Sequence, residues 1–156
     1  VRVGQGFDVH PFAPDGARPL VLGGVVIAGE RGLAGHSDAD PLAHALADAL
    51  LGAAGLGDLG RHFPDTDPVW AGADSMALLA SVVSLVAAEG LAAANADCTV
   101  VAERPRLAEH LPEMARRLSA TVGAPVSVKA TRAEGLGALG RAEGIAALAV
   151  VLVEAR

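Results

Sequence analysis

The chain has 156 residues, 52% of them apolar and 19% charged, with a formal net charge of −6. That length suits one domain with a real core, and the composition excludes a disordered or fibrous chain. The acidic balance excludes the basic footprint of a nucleic-acid binder, and no apolar stretch is long and clean enough to span a bilayer.

Residues 1–9 alternate weakly and read as a strand. Residues 19–28 hold two short apolar runs broken by Gly23 and Gly24, a hairpin-like or bulged element. Residues 29–40 are polar and Gly-rich and read as a loop. A helix is expected to begin near Asp40, which suits the cap, with Pro41 at the first helical position. Leu42, Leu46, Ala49, Leu50 and Ala53 make its apolar stripe, and Asp40, His44 and Asp48 a polar one. Residues 55–73, rich in Gly, Pro and Asp, read as a long loop, and loops of that length are usually functional. A second helix is predicted from Asp74 to Glu89, stopped by Gly90. A strand over 95–103 contains Cys98, the single cysteine. No intrachain disulfide is therefore possible, and Cys98 reads as a small buried residue. A third helix near 108–122, a strand over 126–131, a Gly-rich loop over 132–144 and a last strand over 145–154 complete the chain. This order predicts an α+β fold, an α/β sandwich with one mixed sheet and helices packed on one face, residues 1–156 forming a single domain.

Asp8 and His10 stand two apart on a strand and so share a face. They read either as a polar pair at a strand end or as two zinc ligands. His44 lies off the apolar stripe, on a helix face that is either solvated or turned toward that pair. With His44 the set becomes two histidines and one carboxylate, leaving a fourth tetrahedral position open, as in catalytic zinc sites. Asp48 could orient the free nitrogen of His44 or simply face solvent. His36, Ser37 and Asp38 next to a helix start offer either an anion site or local capping. The acids of residues 57–67 fit a hydroxylated substrate, a hard cation or a surface turn. Thr131 and Glu134 end a strand that leads into glycines, a common ligand position. Arg141 and Glu143 read first as an ion pair.

Taken together, five segments are in order and compatibly spaced. They are Arg2 to His10, His36 to Asp40 with His44, Gly57 to Asp67, Lys129 to Thr131 with Glu134 to Gly137, and Gly140 to Gly144. Over almost the whole chain they resemble the 2-C-methyl-D-erythritol 2,4-cyclodiphosphate synthase family. The resemblance implies a homotrimer of the non-mevalonate isoprenoid route. It would cyclise 4-diphosphocytidyl-2-C-methyl-D-erythritol 2-phosphate to the cyclic diphosphate and release CMP, as a phosphorus-oxygen lyase.

The same resemblance implies one zinc per subunit on Asp8, His10 and His44, which would act in catalysis through that ion. Glu134 would hold a second divalent cation, magnesium or manganese. His36, Ser37, Phe63 and Asp65 would surround the methylerythritol phosphate, and Asp58 and Gly60 the ribose. Ala102, Pro105, Arg106, Leu107, Ala130 and Thr131 of a neighbouring subunit, with Arg132 at their edge, would form the cytidine pocket. Phe7, Arg141 and Glu143 would line a cavity on the trimer axis that takes an isoprenoid diphosphate. Arg132 stands where a small hydroxyl residue is common, Arg106 replaces a frequent Lys, Ala138 a frequent aromatic and Ala142 a frequent Gly. Two other readings compete: a metal-carrying trimeric binding protein without turnover, and a zinc phosphohydrolase. With no signal or transit segment evident, the expected location is the bacterial cytoplasm.

Overall fold

The computed structural model describes residues 1–156. Its strands are β1 (Arg2–Pro11), β2 (Pro19–Leu22), β3 (Val25–Arg31), β4 (Leu91–Val101), β5 (Val126–Thr131) and β6 (Gly144–Ala155). Its helices are α1 (Pro41–Ala54), α2 (Leu59–His62), α3 (Ser75–Ala88), α4 (Leu111–Val122) and α5 (Gly137–Gly140), with a 3₁₀ turn at Pro68–Trp70. Four strands form a mixed sheet in the order β1-β6-β4-β5. β1 and β4 run antiparallel to β6, while β4 and β5 are parallel. A parallel pair needs a crossover, and α4 supplies it. β2 and β3 form a separate two-stranded hairpin with a register shift at Pro19/Leu20.

The period of two gives the sheet two unlike faces. Gly4, Gly6, Cys98, Val100, Ala147, Ala149 and Val151 face the helices and are buried with them in one core. Val3, Phe7, Val9 and Val150 face the other way and stay exposed. α1 lies against β1 and β6 with its backbone almost touching the strand. A Cβ at Gly6 would sit 1.8 Å from the Ala45 carbonyl oxygen, and one at Gly4 1.8 Å from that of Ala49. Only glycine permits that approach.

Asp40 caps α1, accepting from the N–H groups of Leu42 and Ala43, and Gly55 ends it at φ 75°. Asp40 also accepts from Gly23 N at 2.9 Å and Gly24 N at 2.8 Å, which ties the hairpin to the helix start. Burial pushes its carboxyl upward, against the pull of these N–H groups. Eleven of the fourteen residues of α1 are buried. This corrects the solvated polar stripe considered for that helix: sheet, hairpin and α3 enclose it, so Asp40 is a buried cap. Three other details differ from the sequence reading. β3 runs to Arg31 into the expected loop, and β4 starts at Leu91. The loops also contain single helical turns, too short for periodicity to register.

Candidate metal centre

β1 delivers Asp8 and His10 to the helix-facing side of the sheet, and α1 delivers His44 one residue before the Ala45 contact with Gly6. The three side chains converge, each offering one ligand atom, all within 4.8 Å of one another. Asp8 Oδ2 lies 2.8 Å from His10 Nε2 and 3.0 Å from His44 Nδ1, and the two ring nitrogens are 3.4 Å apart. A tetrahedral ion with bonds of about 2.0 Å holds its ligands about 3.3 Å apart. The cluster therefore fits a small divalent ion with little movement.

Hydrogen-bond roles support the same fit. His10 Nδ1 is 2.9 Å from the Ala34 carbonyl oxygen, which can only accept. His10 must donate there, so in the neutral ring Nε2 carries the lone pair that faces Asp8. Lone pairs aimed at one point require a cation or a proton between them. In the metal-free cluster a proton serves. Burial pushes the Asp8 carboxyl up, but its contacts with the His10 and His44 rings outweigh it and hold the pKa at about 2. For His10, burial pulls down, while the Asp8 hydrogen bond and charge win and raise it. A metal ion would compete with that proton.

His44 Nε2 points away from the triad, 2.7 Å from Ser75 Oγ and 3.2 Å from Ser37 Oγ. Of the two readings offered for Asp48, an orienting partner of His44 or a solvated acid, neither holds. Asp48 Oδ1 accepts from Leu59 N at 2.7 Å instead, joining α1 to the start of α2. Ser75, which does approach His44, and Asp38, which holds Ser75, were not foreseen as its partners. The only signal for Ser75 was its place just after a capping Asp74. Arg18, also unforeseen, donates to the Gly35 carbonyl at 2.9 Å and to that of Ser37, pinning the loop that carries His36.

The triad forms the floor of a cleft of about 450 Å³, walled by His36, Ser37, Gly60, Phe63 and Asp65 among others. Trp70 stacks edge-on against Phe63 at 4.9 Å between centroids and joins this wall. Asp58 caps α2, its Oδ1 accepting from Arg61 N. The other expected residues lie elsewhere. Ala102, Pro105, Arg106, Leu107, Ala130, Thr131 and Arg132 line a second pocket of about 260 Å³ that shares no lining residue with the first. It belongs to β4 and β5, while the triad belongs to β1, and β1 and β5 are opposite edges of the sheet. Three strand intervals, about 14 Å, separate those edges.

Glu134 follows β5 on an exposed loop at φ 54°. Arg132 pairs with Glu103 at 2.9 Å at the pocket rim. Arg141 and Glu143 pair at 2.6 Å before β6, and Phe7 lies four strand positions from that end, facing out of the open sheet. Ala142 has φ 56°, a conformation that glycine adopts more readily than alanine. No helix is long and apolar enough to cross a membrane.

A mixed sheet with helices on one face, carrying two histidines and a carboxylate at the base of a polar cleft, defines an α+β protein with a metal-site cleft. Residues 1–154 match the YgbB family model, and the chain belongs to that family. It is 57% identical to the 2-C-methyl-D-erythritol 2,4-cyclodiphosphate synthase of Symbiobacterium thermophilum, over 99% of both chains. Among solved structures, the bifunctional IspDF from Campylobacter jejuni superposes with a TM-score of 0.94 at 43% identity. There the match covers 99% of this chain and 42% of that longer one. A CDP-bound 2C-methyl-D-erythritol-2,4-cyclodiphosphate synthase superposes with a TM-score of 0.88 at 38% identity, over 98% of this chain and 100% of that one.

Proposed function

We propose that the chain, as one domain over residues 1–156, converts 4-diphosphocytidyl-2-C-methyl-D-erythritol 2-phosphate to 2-C-methyl-D-erythritol 2,4-cyclodiphosphate and CMP. It does so in the bacterial cytoplasm, within non-mevalonate isoprenoid synthesis. The observation that carries this is the convergence of Asp8, His10 and His44 on the floor of a polar cleft, in a chain whose relatives bear the synthase name.

In the reaction an oxygen of the 2-phosphate attacks the β-phosphorus. The new P–O bond closes the ring while the bond from that phosphorus to the bridging oxygen breaks, and the oxygen leaves with CMP. Two divalent ions, zinc on the triad and magnesium or manganese on Glu134, would neutralise the meeting anions and polarise the phosphoryl oxygens. The protein supplies no nucleophile. Nucleophile and electrophile belong to one molecule, so the cleft's work is to fold the substrate and keep water out. His36, Ser37, Phe63 and Asp65 surround the methylerythritol phosphate, and Asp58 with Gly60 meets the ribose.

The cytidine half of the site, Ala102 to Leu107 with Ala130, Thr131 and Arg132, comes from a neighbouring subunit of a homotrimer. Support for this is the placement of the two half-sites on opposite sheet edges and the exposed apolar face between them. Phe7, Arg141 and Glu143 line the trimer axis and an isoprenoid diphosphate site there.

Phosphorus NMR with the cytidyl diphosphate substrate tests the proposal. A cyclic diphosphate with CMP is expected, abolished by chelator and restored by zinc with magnesium. An uncyclised phosphate would make the protein a hydrolase, and no turnover by the zinc-loaded protein would make it a binding protein.

A further inference from the structure

His44 has two ring nitrogens and only one can face the metal. Nδ1 faces Asp8 at 3.0 Å, and Nε2 faces Ser75 Oγ at 2.7 Å. Ser75 is 1% exposed and Ser37, the other hydroxyl near Nε2, is 7% exposed, so both stand away from water. Ser75 Oγ in turn contacts Asp38 Oδ1. An ionised carboxylate cannot donate, so the single hydroxyl proton of Ser75 goes to Asp38. Only lone pairs of Ser75 then remain for His44, and Nε2 must be the nitrogen that bears hydrogen. In a neutral imidazole this leaves Nδ1 as the free lone pair, aimed into the triad.

From this chain of contacts we infer that Ser75 and Asp38 are positioning residues. They fix the tautomer and ring orientation of His44 and so strengthen metal binding. The inference rests on the metal reading of the triad. Local structure makes the device rigid. Asp38 Oδ2 also accepts from Ser75 N at 3.1 Å, so one carboxylate holds both backbone and hydroxyl of the residue that opens α3. Ala39, buried at φ 57°, turns the chain between Asp38 and Asp40. One carboxylate thereby reaches α3 while the next caps α1. Asp38 thus couples the start of α3 to the histidine that α1 contributes, and the hydrogen bond of Ser75 to a metal ligand is the kind that typically tunes affinity 10–100-fold.

The test uses zinc-loaded full-length protein, nitrogen-15 NMR of the histidine rings, and zinc affinity by competition with a chromophoric chelator. The expected result is His44 protonated on Nε2, with Ser75→Ala and Asp38→Asn each weakening zinc about 10- to 100-fold. The unfolding midpoint in excess chelator falls only by what the lost hydrogen bonds cost the fold, and zinc affinity is read on variants that circular dichroism shows to be folded. His44 protonated on Nδ1 in the wild type would overturn the inference, whether or not the variants fold. Variants with wild-type zinc affinity would also overturn it. A wild type that takes up no zinc would instead sink the metal reading itself.

Discussion

At the residue scale, the triad has opposite pH behaviour with and without metal. In the metal-free protein Asp8 sits at about 2, so its stabilisation is present above the ordinary carboxylate range and lost as pH falls toward 2. The His10 value is raised. Its stabilisation is complete below the ordinary histidine value of about 6.5 and lost as pH rises through the raised one. The metal-free pair therefore stabilises most between about pH 4 and 6.5. Metal binding runs the other way, because it must displace the His10 proton. The gap between unfolding midpoints in excess zinc and in excess chelator should widen from pH 6 to pH 8. A gap constant over that range would show that His10 is not a ligand. Spacing on a strand put Asp8 and His10 on one face, but His44, 34 residues beyond His10, joined them as a ligand through the family resemblance of the surrounding segments. Ser75 and Arg18 could not be named from the sequence, since they reach the site across 31 and 17 to 19 residues, and no local pattern encodes that closure.

At the element scale, the site depends on how closely α1 lies on β1. Gly6→Ala would place a methyl against the Ala45 carbonyl, which is backbone and cannot rotate aside. The helix would have to lift, at a cost of about 3 kcal/mol or more. Because His44 precedes Ala45 and Asp8 follows Gly6 by two, the same lift would separate the ligands. Chemical denaturation should show the destabilisation, and zinc affinity should fall with it. Loss of stability with unchanged zinc affinity would mean that the triad is not set by this contact. Strands and long helices were legible because their periods and caps are local: Asp40-Pro41 for α1, Asp74 for α3, Gly123 for the end of α4. The burial of α1 on nearly every side was not. Its Ala-rich sequence gives a weak stripe, and only the assembled sheet, hairpin and α3 reveal that its polar residues point inward to caps and ligands.

At the scale of the whole molecule, one face of the sheet has no cover. Val3 is 66% exposed, Phe7 56%, Val9 46% and Val150 48%, on adjacent strands. Exposed apolar side chains grouped on one sheet face suit an interface, and the proposed trimer would bury them. Val150→Glu tests this directly. Val150 faces away from the core, so a charge there leaves the single chain's packing intact, and circular dichroism should be unchanged. In a trimer the same charge would be buried against apolar neighbours, a cost of several kcal/mol per chain, and sedimentation should show monomers. The monomer should keep its zinc, because all three ligands come from one chain. It should lose cyclase activity, because the β4–β5 pocket and the metal cleft of one chain sit on opposite edges. A monomeric variant with full turnover would place the complete site within one chain. A variant that stays trimeric would move the interface to another face. Loss of activity with zinc retained is the outcome that separates a shared site from a merely stabilising interface.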